Sequence, residues 1–300
     1  MTLRAADERA HEPGAERGWM ETWHLDAATD DGIGVSVRLA CAPALGVAWW
    51  WTHLLLPDRR GPVVVRDHEV PLPRQGLEVR ADGLWGELTC ETPFDHWTYG
   101  LEAFGVLLDH PADSLRGEIG ERMPVGLDIE WDVEPPTARH EYERAGECGY
   151  EQFGAVHGDV LLGRERFEIE AVGVRSHAWG TPRLDRPARS AWLRAGDELI
   201  SFQESASSVD GYVVAPDGTR PLPSVRTDTR RGGDGLPVAA CHTLDDRDAI
   251  DVEVIGLVTT PLIDPYGDAA VLTRGLCRGT GSGERVIGWS SWLDPVNNDA

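Results

Sequence analysis

The sequence contains no lysine, because all 28 of its basic residues are arginine. Schiff-base catalysis and lysine general bases are therefore excluded. The formal charge is −23. Since nucleic acids and anionic membranes are bound through clustered cations, neither is an expected partner. No apolar run approaches the roughly 20 residues that cross a bilayer, so membrane insertion is not expected either.

The five cysteines are isolated, without a CxxC pair, and the ten histidines show no metal-ligand spacing. These absences argue against zinc ribbons and thioredoxin-type redox sites, and we predict no metal. The motifs GxSxG, HExxH, the P-loop and a dinucleotide fingerprint are also missing, so no cofactor is expected. The first twenty residues lack the apolar segment of a secretory signal, which predicts a cytoplasmic protein with reduced thiols.

Alternation of apolar and polar side chains dominates the chain and indicates half-buried strands. It is clearest in residues 33–39, 125–133, 167–172 and 250–255. Turn-forming Asp-Gly pairs punctuate the sequence at Asp31-Gly32, Asp82-Gly83, Asp210-Gly211, Asp217-Gly218 and Asp234-Gly235. Only residues 109–122 leave room for one or two helical turns. The sequence therefore predicts an all-β protein with very little helix and with closed or sandwiched antiparallel sheets.

Composition suggests two domains behind a short tail. Residues 1–18 are charged and without period, which is typical of a disordered segment. The proline-containing stretch 134–141 is the least strand-like region near the middle of the chain. We therefore predict β domains at 19–140 and 141–300, each about the length of one small antiparallel barrel.

The aromatic set is skewed toward tryptophan, with 12 Trp against five Phe and five Tyr. Trp49 and Trp51 share one face of a predicted strand, with Trp50 on the other. Trp97 and Tyr99 share a face of a second strand. These indoles either fill a large core or line a cavity for a hydrophobic small molecule, and both interpretations stay open.

A second informative segment is residues 173–183. If it is extended, Arg175, His177 and Trp179 point to one face and small residues to the other. One interpretation is a proton-transfer site. The other is a buried structural histidine, with Arg175 paired to an acid such as Glu151.

About twenty residues further on, Phe202 and Glu204 also share a face, and a hairpin partner would bring them opposite His177 and Trp179. In an apolar barrel, the pKa of Glu204 would rise toward that of a general acid. The alternative is a solvent-facing carboxylate on an edge strand.

The string Gly173-Val174-Arg175-Ser176-His177-Ala178-Trp179-Gly180 resembles the G-x-R-x-H-S-W-G-x-R motif of the hydroxyneurosporene synthase (carotenoid 1,2-hydratase) superfamily. Supporting elements are residues 150–154, 156–160, 210–213 and 281–284. The resemblance covers about residues 145–295. In the first half it is confined to residues 124–128 and to the general β pattern.

The resemblance implies two packed lipocalin-like barrels around a hydrophobic ligand cavity. In the hydratases, a His-x-Trp pair and a downstream Tyr-x-Asp pair are implicated in protonating an alkene. His177 and Trp179 match the first pair. Phe202 and Glu204 stand where the second pair is expected, so the hydroxyl is lost and an acid is kept.

Taken together, these observations predict a hydratase or cyclase that protonates C=C bonds of an isoprenoid or polyene without a cofactor. The candidate catalytic residues are His177, Trp179 and Glu204, and the candidate substrate-binding residues are Arg175, Phe202, Trp97, Tyr99, Trp49 and Trp51. A non-catalytic carrier of a hydrophobic ligand and a pericyclic Diels–Alder-type cyclase remain as alternatives. The sequence leaves the oligomeric state open.

Overall fold

A computed structural model describes residues 3–57, 61–117, 119–134, 139–144, 146–245 and 247–296, which form twenty strands in two antiparallel sheets. In chain order, strands β1 to β20 span Met20–Ala28, Gly34–Ala42, Val47–Leu55, Val63–Pro71, Leu77–Ala81, Leu84–Thr92, His96–Leu108, Gly120–Val133, His140–Arg144, Glu147–Leu162, Glu165–Gly180, Ala188–Ala195, Glu198–Ser205, Val209–Ala215, Gly218–Pro221, Val225–Arg231, Pro237–Leu244, Ile250–Ile263, Ala269–Gly281 and Glu284–Pro295.

The all-β prediction is confirmed. Helical structure in the described residues is limited to short 3-10 segments at Ala5–Glu8, Pro43–Leu45 and Pro111–Arg116. None of these segments is long and apolar enough to span a membrane. Asp210-Gly211, expected at a turn, lies inside β14 instead. A Cβ at Gly211 would stand 2.8 Å from the Cβ of Phe202, so the glycine here allows close packing against β13.

The first sheet runs in the order β4-β3-β2-β1-β11-β10-β8-β7-β6-β5, with β9 beside β10. An additional pairing of β4 with β7 joins distant parts of this order and curls the sheet into a barrel. Its interior is filled by a cluster of apolar side chains that includes Trp23, Trp50, Trp97 and Trp131. We call this unit the first barrel.

The second sheet runs in the order β15-β14-β13-β12-β20-β19-β18-β17-β16 and forms the second barrel. The chain passes from one sheet to the other between Gly180 and Ala188. The sequence placed the division at residue 140, within a stretch whose residues 135–138 lie outside the described residues. The long hairpin of β10 and β11 belongs to the first sheet because β11 also pairs with β1 along its C-terminal half.

A polar cluster joins the two barrels. Asp26 of β1 accepts a hydrogen bond from Arg274 of β19, with 2.9 Å between Oδ1 and Nη1. The indole of Trp289 donates to the carbonyl oxygen of Ala27 at 2.9 Å, and Trp192 donates to Asp26 at 3.3 Å. Asp26 and Arg274 are both buried and paired. Removing either side chain would therefore leave the other charge buried between the barrels without its counter-ion.

The segment before β1 is ordered where it is described, in contrast to the disordered tail that its composition suggested. Ala5–Glu8 is a 3-10 helix, and the side chains of Leu3, Glu8 and Trp19 are buried. The carboxylate of Glu8 pairs with Arg175 inside the first barrel, and this contact helps to order a charged segment that has no hydrophobic period.

Candidate active site

Three adjacent strands place one group of polar and aromatic side chains inside the first barrel. In the ladder, His177 of β11 stands between Trp23 of β1 and Tyr150 of β10, while Gln152 lies beside Arg175. Residues directly opposite each other in antiparallel strands project from the same face of the sheet. His177, Tyr150 and Arg175 are all buried, so this face is the barrel interior.

Glu21 of β1 is the hydrogen-bonding centre of this group. Its Oε1 lies 2.8 Å from His177 Nε2 and 2.7 Å from His11 Nδ1, and the backbone N–H of His11 donates to the same oxygen at 3.0 Å. Burial opposes ionisation of Glu21, but the hydrogen bonds from His11 and His177 outweigh it and hold the pKa of the carboxyl below its usual range. Glu21 is therefore an ionised acceptor at neutral pH.

This arrangement assigns the tautomer of His177. An ionised carboxylate only accepts hydrogen bonds, so Nε2 of His177 carries the proton that is donated to Glu21. Burial lowers the pKa of His177, although Glu21 partly offsets it, so the imidazole is neutral near pH 7. Nδ1 then has a free lone pair, and it is buried without a hydrogen-bond partner among the described residues. A buried polar atom without a partner costs free energy and marks a position for water or substrate.

Aromatic rings surround the imidazole of His177. Trp23 is stacked on it with 4.6 Å between ring centroids, and Tyr150 presents an edge at 5.8 Å. Trp179 lies 5.2 Å away and is itself stacked on His11 at 3.9 Å. Trp179 and His11 are partly exposed, so they form the boundary between the buried histidine and solvent.

A buried ion pair lies next to this group. Arg175 Nη2 is 2.5 Å from Oε1 of Glu8, and the hydroxyl of Tyr150 donates to the same oxygen at 2.7 Å. The indole of Trp97 donates to Oε2 of Glu8 at 2.7 Å. The guanidinium also lies over the ring of Trp131, 4.8 Å from its centroid. Both charges are thus compensated by several partners, as burial requires.

The predicted site residues divide into two sets. One set lies in the first barrel and consists of His177, Trp179, Arg175, Trp97 and Tyr99. The ring centroids of Trp97 and Tyr99 are 6.4 Å apart. The counter-ion of Arg175 is Glu8 and not Glu151, whose Oε1 accepts a hydrogen bond from the hydroxyl of Ser201.

Phe202 and Glu204 are not brought to this site. Their strand β13 pairs with β12 and β14, whereas β11 pairs with β1 and β10, so the suggested hairpin contact with His177 is wrong. Phe202 packs in the core of the second barrel. Glu204 Oε2 accepts the backbone N–H of Thr227 at 2.9 Å, which ties β13 to β16.

Trp49 and Trp51 also lie elsewhere. They project from the face of β3 opposite Trp50 and pack with Met20 and with Leu262 of the second barrel. Trp51 donates through its indole N–H to Nε2 of His68 at 2.7 Å. These two indoles therefore contribute to the packing between the barrels.

Sequence reasoning missed the partners of the site, namely Glu8, His11, Glu21, Trp23 and Tyr150. One signal was present, because Glu21, Trp23 and Leu25 alternate along β1 and so place a carboxylate on an otherwise apolar face. Glu8 and His11 carry no such signal. They precede the first strand. Arg175, the partner of Glu8, and Trp179, on which His11 stacks, lie far away along the chain.

Two open cavities, of about 260 and 1040 Å³, are both lined by strands and loops of the second barrel. Their described lining residues include none of the aromatic residues predicted to bind substrate. The rings that surround His177 are instead in contact with one another and with the N-terminal segment. Access to His177 therefore requires movement of the boundary formed by His11 and Trp179.

Two groups of described side chains have the composition of metal ligands. One is His11, Glu21 and His177 in the barrel, and the other is His96, Glu130 and Asp132 on the sheet surface. In a tetrahedral zinc site with bonds of about 2.0–2.1 Å, ligand atoms are about 3.3 Å apart. The interior contacts of 2.7 and 2.8 Å are shorter and fit hydrogen bonds that share a proton.

Solved structures show the same architecture at low sequence identity. A protein assigned as AttH from Nitrosomonas europaea aligns with a TM-score of 0.64 and 12% identity, covering 92% of this chain and 93% of that one. Kievitone hydratase from Nectria haematococca aligns with a TM-score of 0.54 and 12% identity, covering 98% and 93%. These similarities establish the fold. No curated protein sequence matches the chain. The sequence profile of DUF7064, a domain of unknown function, matches residues 4–296, and the chain therefore belongs to the DUF7064 family.

Proposed function

We propose that this protein is a hydratase that adds water across a C=C bond of a hydrophobic substrate, an isoprenoid or a polyene. The observation that carries the proposal is the buried, unpartnered Nδ1 of His177, whose other ring nitrogen is tied to Glu21. The shared fold with a hydratase and the matching His-x-Trp motif support it. The reaction uses His177 for proton transfer, and no cofactor takes part.

Glu21 is the positioning residue. It holds the imidazole in the Nε2–H tautomer and stabilises the imidazolium when Nδ1 is protonated, as a carboxylate does in a catalytic triad. Because burial lowers the pKa of His177, its imidazolium is a stronger acid than a histidine in water. A group of this kind both donates and accepts a proton within one cycle.

The resting imidazole of His177 is neutral, so Nδ1 first takes up a proton from solvent, and the cycle starts from the imidazolium paired with Glu21. His177 Nδ1–H transfers its proton to one alkene carbon, forming a C–H bond and leaving a carbocation on the neighbouring carbon. Water adds its oxygen to the carbocation, and the resulting oxonium loses a proton to Nδ1. The alkene has gained one water, and His177 is again an imidazolium paired with Glu21.

The indoles around His177 are placed to stabilise the carbocation. Trp23 and Trp179 present aromatic rings beside His177, and a desolvated ring face stabilises a cation by about 2 kcal/mol. The interior also excludes bulk water, which protects a carbocation from uncontrolled capture. Substrate reaches this interior when the segment that contains His11 moves away from Trp179.

The test is hydration in H₂¹⁸O of a panel of alkenes, namely β-myrcene, geraniol, squalene and lycopene, with product alcohols detected by mass spectrometry. We expect incorporation of one ¹⁸O by the unmodified protein and a loss of at least about 100-fold in His177→Gln. Glu21→Gln should also be impaired. His242→Gln, a buried histidine of the second barrel, is the matched control and should retain activity.

Full activity in His177→Gln, with folding verified by circular dichroism, would overturn the assignment. Binding of a polyene without turnover, unchanged by the His177 and Glu21 substitutions, would show that the protein is a carrier.

A further inference from the structure

The outer surface of the first barrel carries a second convergence of histidines and carboxylates. Strand β8 lies between β7 and β10 and presents Glu130 and Asp132 outward. His96 of β7 is the ladder partner of Asp132, and His157 of β10 is the ladder partner of Glu130. The four residues therefore share one face of three adjacent strands. We call them the surface quartet.

The quartet side chains contact each other in a closed ring. His96 is 2.7 Å from Asp132 through Nδ1 and 3.8 Å from Glu130 through Nε2. His157 is 3.3 Å from Glu130 through Nε2 and 3.6 Å from Asp132 through Nδ1. The contact of 2.7 Å between His96 and Asp132 is a hydrogen bond. One ligand atom each from His96, Glu130 and Asp132 lies within 4.8 Å of the other two, in reach of the separation of about 3.3 Å between ligands of a tetrahedral ion with bonds of 2.0–2.1 Å. His157 contacts both carboxylates through different ring nitrogens, and it becomes the fourth ligand when its ring rotates to turn one nitrogen toward this group.

We propose that the surface quartet is a binding site for a divalent transition-metal ion of the zinc class, with two imidazole and two carboxylate ligands. Imidazole and carboxylate are both common ligands of zinc. Two ionised carboxylates supply two negative charges, which balance the charge of a divalent ion. The side chains are 27–48% exposed, so the ion enters from solvent without opening the barrel.

The position of the quartet suggests what the ion does. Trp97 and Trp131 are the inward-facing neighbours of His96 and of the two carboxylates, and both indoles contact the buried Arg175–Glu8 pair. An ion bound outside would cross-link β7, β8 and β10, and so rigidify the wall that holds this pair. Its role is therefore structural and independent of the proposed hydratase chemistry.

The acidic pair further along the same face is different. Asp128 and Asp159 are ladder partners, but Asp159 already has a counter-ion, because Arg166 binds both of its carboxylate oxygens at 2.6 Å. This pair also has no histidine ladder partner, since Asp128 faces Gly100 on β7. Asp128→Asn is therefore a suitable control for loss of a negative charge on this surface.

The test is titration of the chelator-treated full chain with ZnCl₂ by calorimetry, and with CoCl₂ by visible absorption. We expect one zinc ion per chain and a Co²⁺ spectrum typical of nitrogen and oxygen ligands. His157→Ala and His96→Ala should each weaken binding at least about tenfold. Asp128→Asn and His177→Ala should leave the affinity unchanged, and zinc should raise the thermal midpoint of the unmodified protein but not of His157→Ala.

Three results would overturn the proposal. The first is absence of zinc binding by the unmodified chain, and the second is unchanged affinity in a His96→Ala/His157→Ala double variant. The third is loss of binding in His177→Ala, or a thiolate-to-cobalt charge-transfer band, either of which would place the ion at the interior histidine or at cysteine. None of these outcomes bears on His177 as a proton donor, which the alkene assay tests separately.

Discussion

The interiors of the two barrels differ in what they bury, although both barrels are curled antiparallel sheets. The first buries the ionic groups Arg175, Glu8 and Glu21. The second buries a mainly aliphatic cluster and one histidine, His242, which contacts the hydroxyls of Thr227 and Ser290 at 3.2 and 3.3 Å. Buried charges cost free energy even when they are paired. The buried charges of the second barrel lie outside its core cluster: Arg274 pairs with Asp26 between the barrels, and Asp264 accepts backbone N–H groups just after β18. The charged groups inside the first barrel are therefore best explained by function.

Two of the three buried histidines, His177 and His242, sharpen this contrast. Burial lowers the pKa of both, and for His242 to about 4. His177, however, has a carboxylate on one ring nitrogen and no partner on the other, whereas both nitrogens of His242 face hydroxyl groups. His177 is therefore oriented and available for proton transfer. His242 is a hydrogen-bonded component of the core.

The largest effect is expected when the buried ion pair of the first barrel is broken. Arg175→Met leaves Glu8 buried beside Tyr150 and Trp97 without its counter-ion, which typically costs about 3–5 kcal/mol. Urea unfolding measures the loss. Arg166→Met, at an exposed ion pair of the same strand, is the control and should not move the midpoint. Equal midpoints for the two variants would contradict the importance of the buried pair.

His242 of the second barrel should contribute to the loss of stability in acid. The folded pKa of His242 is about 4 against an ordinary 6.5. Its stabilising contribution is therefore complete above pH 6.5 and is lost as the pH falls toward 4. The difference between the two pKa values corresponds to about 3 kcal/mol of unfolding free energy. In His242→Gln, the unfolding free energy should depend less steeply on pH across this window. An unchanged slope would show that this histidine is not buried in its neutral form.

A smaller effect is expected where the N-terminal segment contacts the first barrel. His11→Ala removes the hydrogen bond between the ring and Glu21 and the stacking contact with Trp179, while the backbone N–H at this position still donates to Glu21. A hydrogen bond to a charged group contributes about 1.5–3 kcal/mol, and partial exposure of His11 places the loss near 2 kcal/mol. Urea unfolding checks this value. A loss below the measurement error would mean that the segment is not held by this contact.

The smallest effect is expected at Glu204, the predicted acid that lies in the second barrel. Glu204→Gln keeps an oxygen that accepts the N–H of Thr227, so the cost in stability should be at most about 1 kcal/mol. The alkene assay should show full activity. A tenfold loss of activity with an intact fold would restore Glu204 as a catalytic acid.

The sequence predicted local structure well because alternation is a local property. It identified β-strands and put Arg175, His177 and Trp179 on one face of β11, where the structure has them. The sequence did not reveal contacts between residues that are far apart along the chain. Glu8 lies in a charged segment that is held by contacts inside the barrel, among them its ion pair with Arg175, and no periodic pattern reveals these contacts.

The second failure has a different cause. Phe202 and Glu204 alternate correctly along β13, but alternation does not say which strand lies beside β13. Strand order arises from the closure of each sheet, and the pattern contains no information on it. The proximity of His96 and His157 could not be predicted for the same reason, because they belong to strands that meet only across β8.

The most direct test of the central claim is ¹⁵N NMR of the imidazole rings in protein labelled at histidine, with His177→Gln and His242→Gln used for assignment. We expect His177 to be neutral at pH 7 to 8, protonated at Nε2 and unprotonated at Nδ1, and to become protonated at a lower pH than a free histidine. We also expect Glu21→Gln to disturb the signals of His177 and not those of His242. An Nδ1–H tautomer of His177 would contradict the assignment of His177 as the residue that transfers the proton, and an imidazolium throughout this range would contradict its lowered pKa.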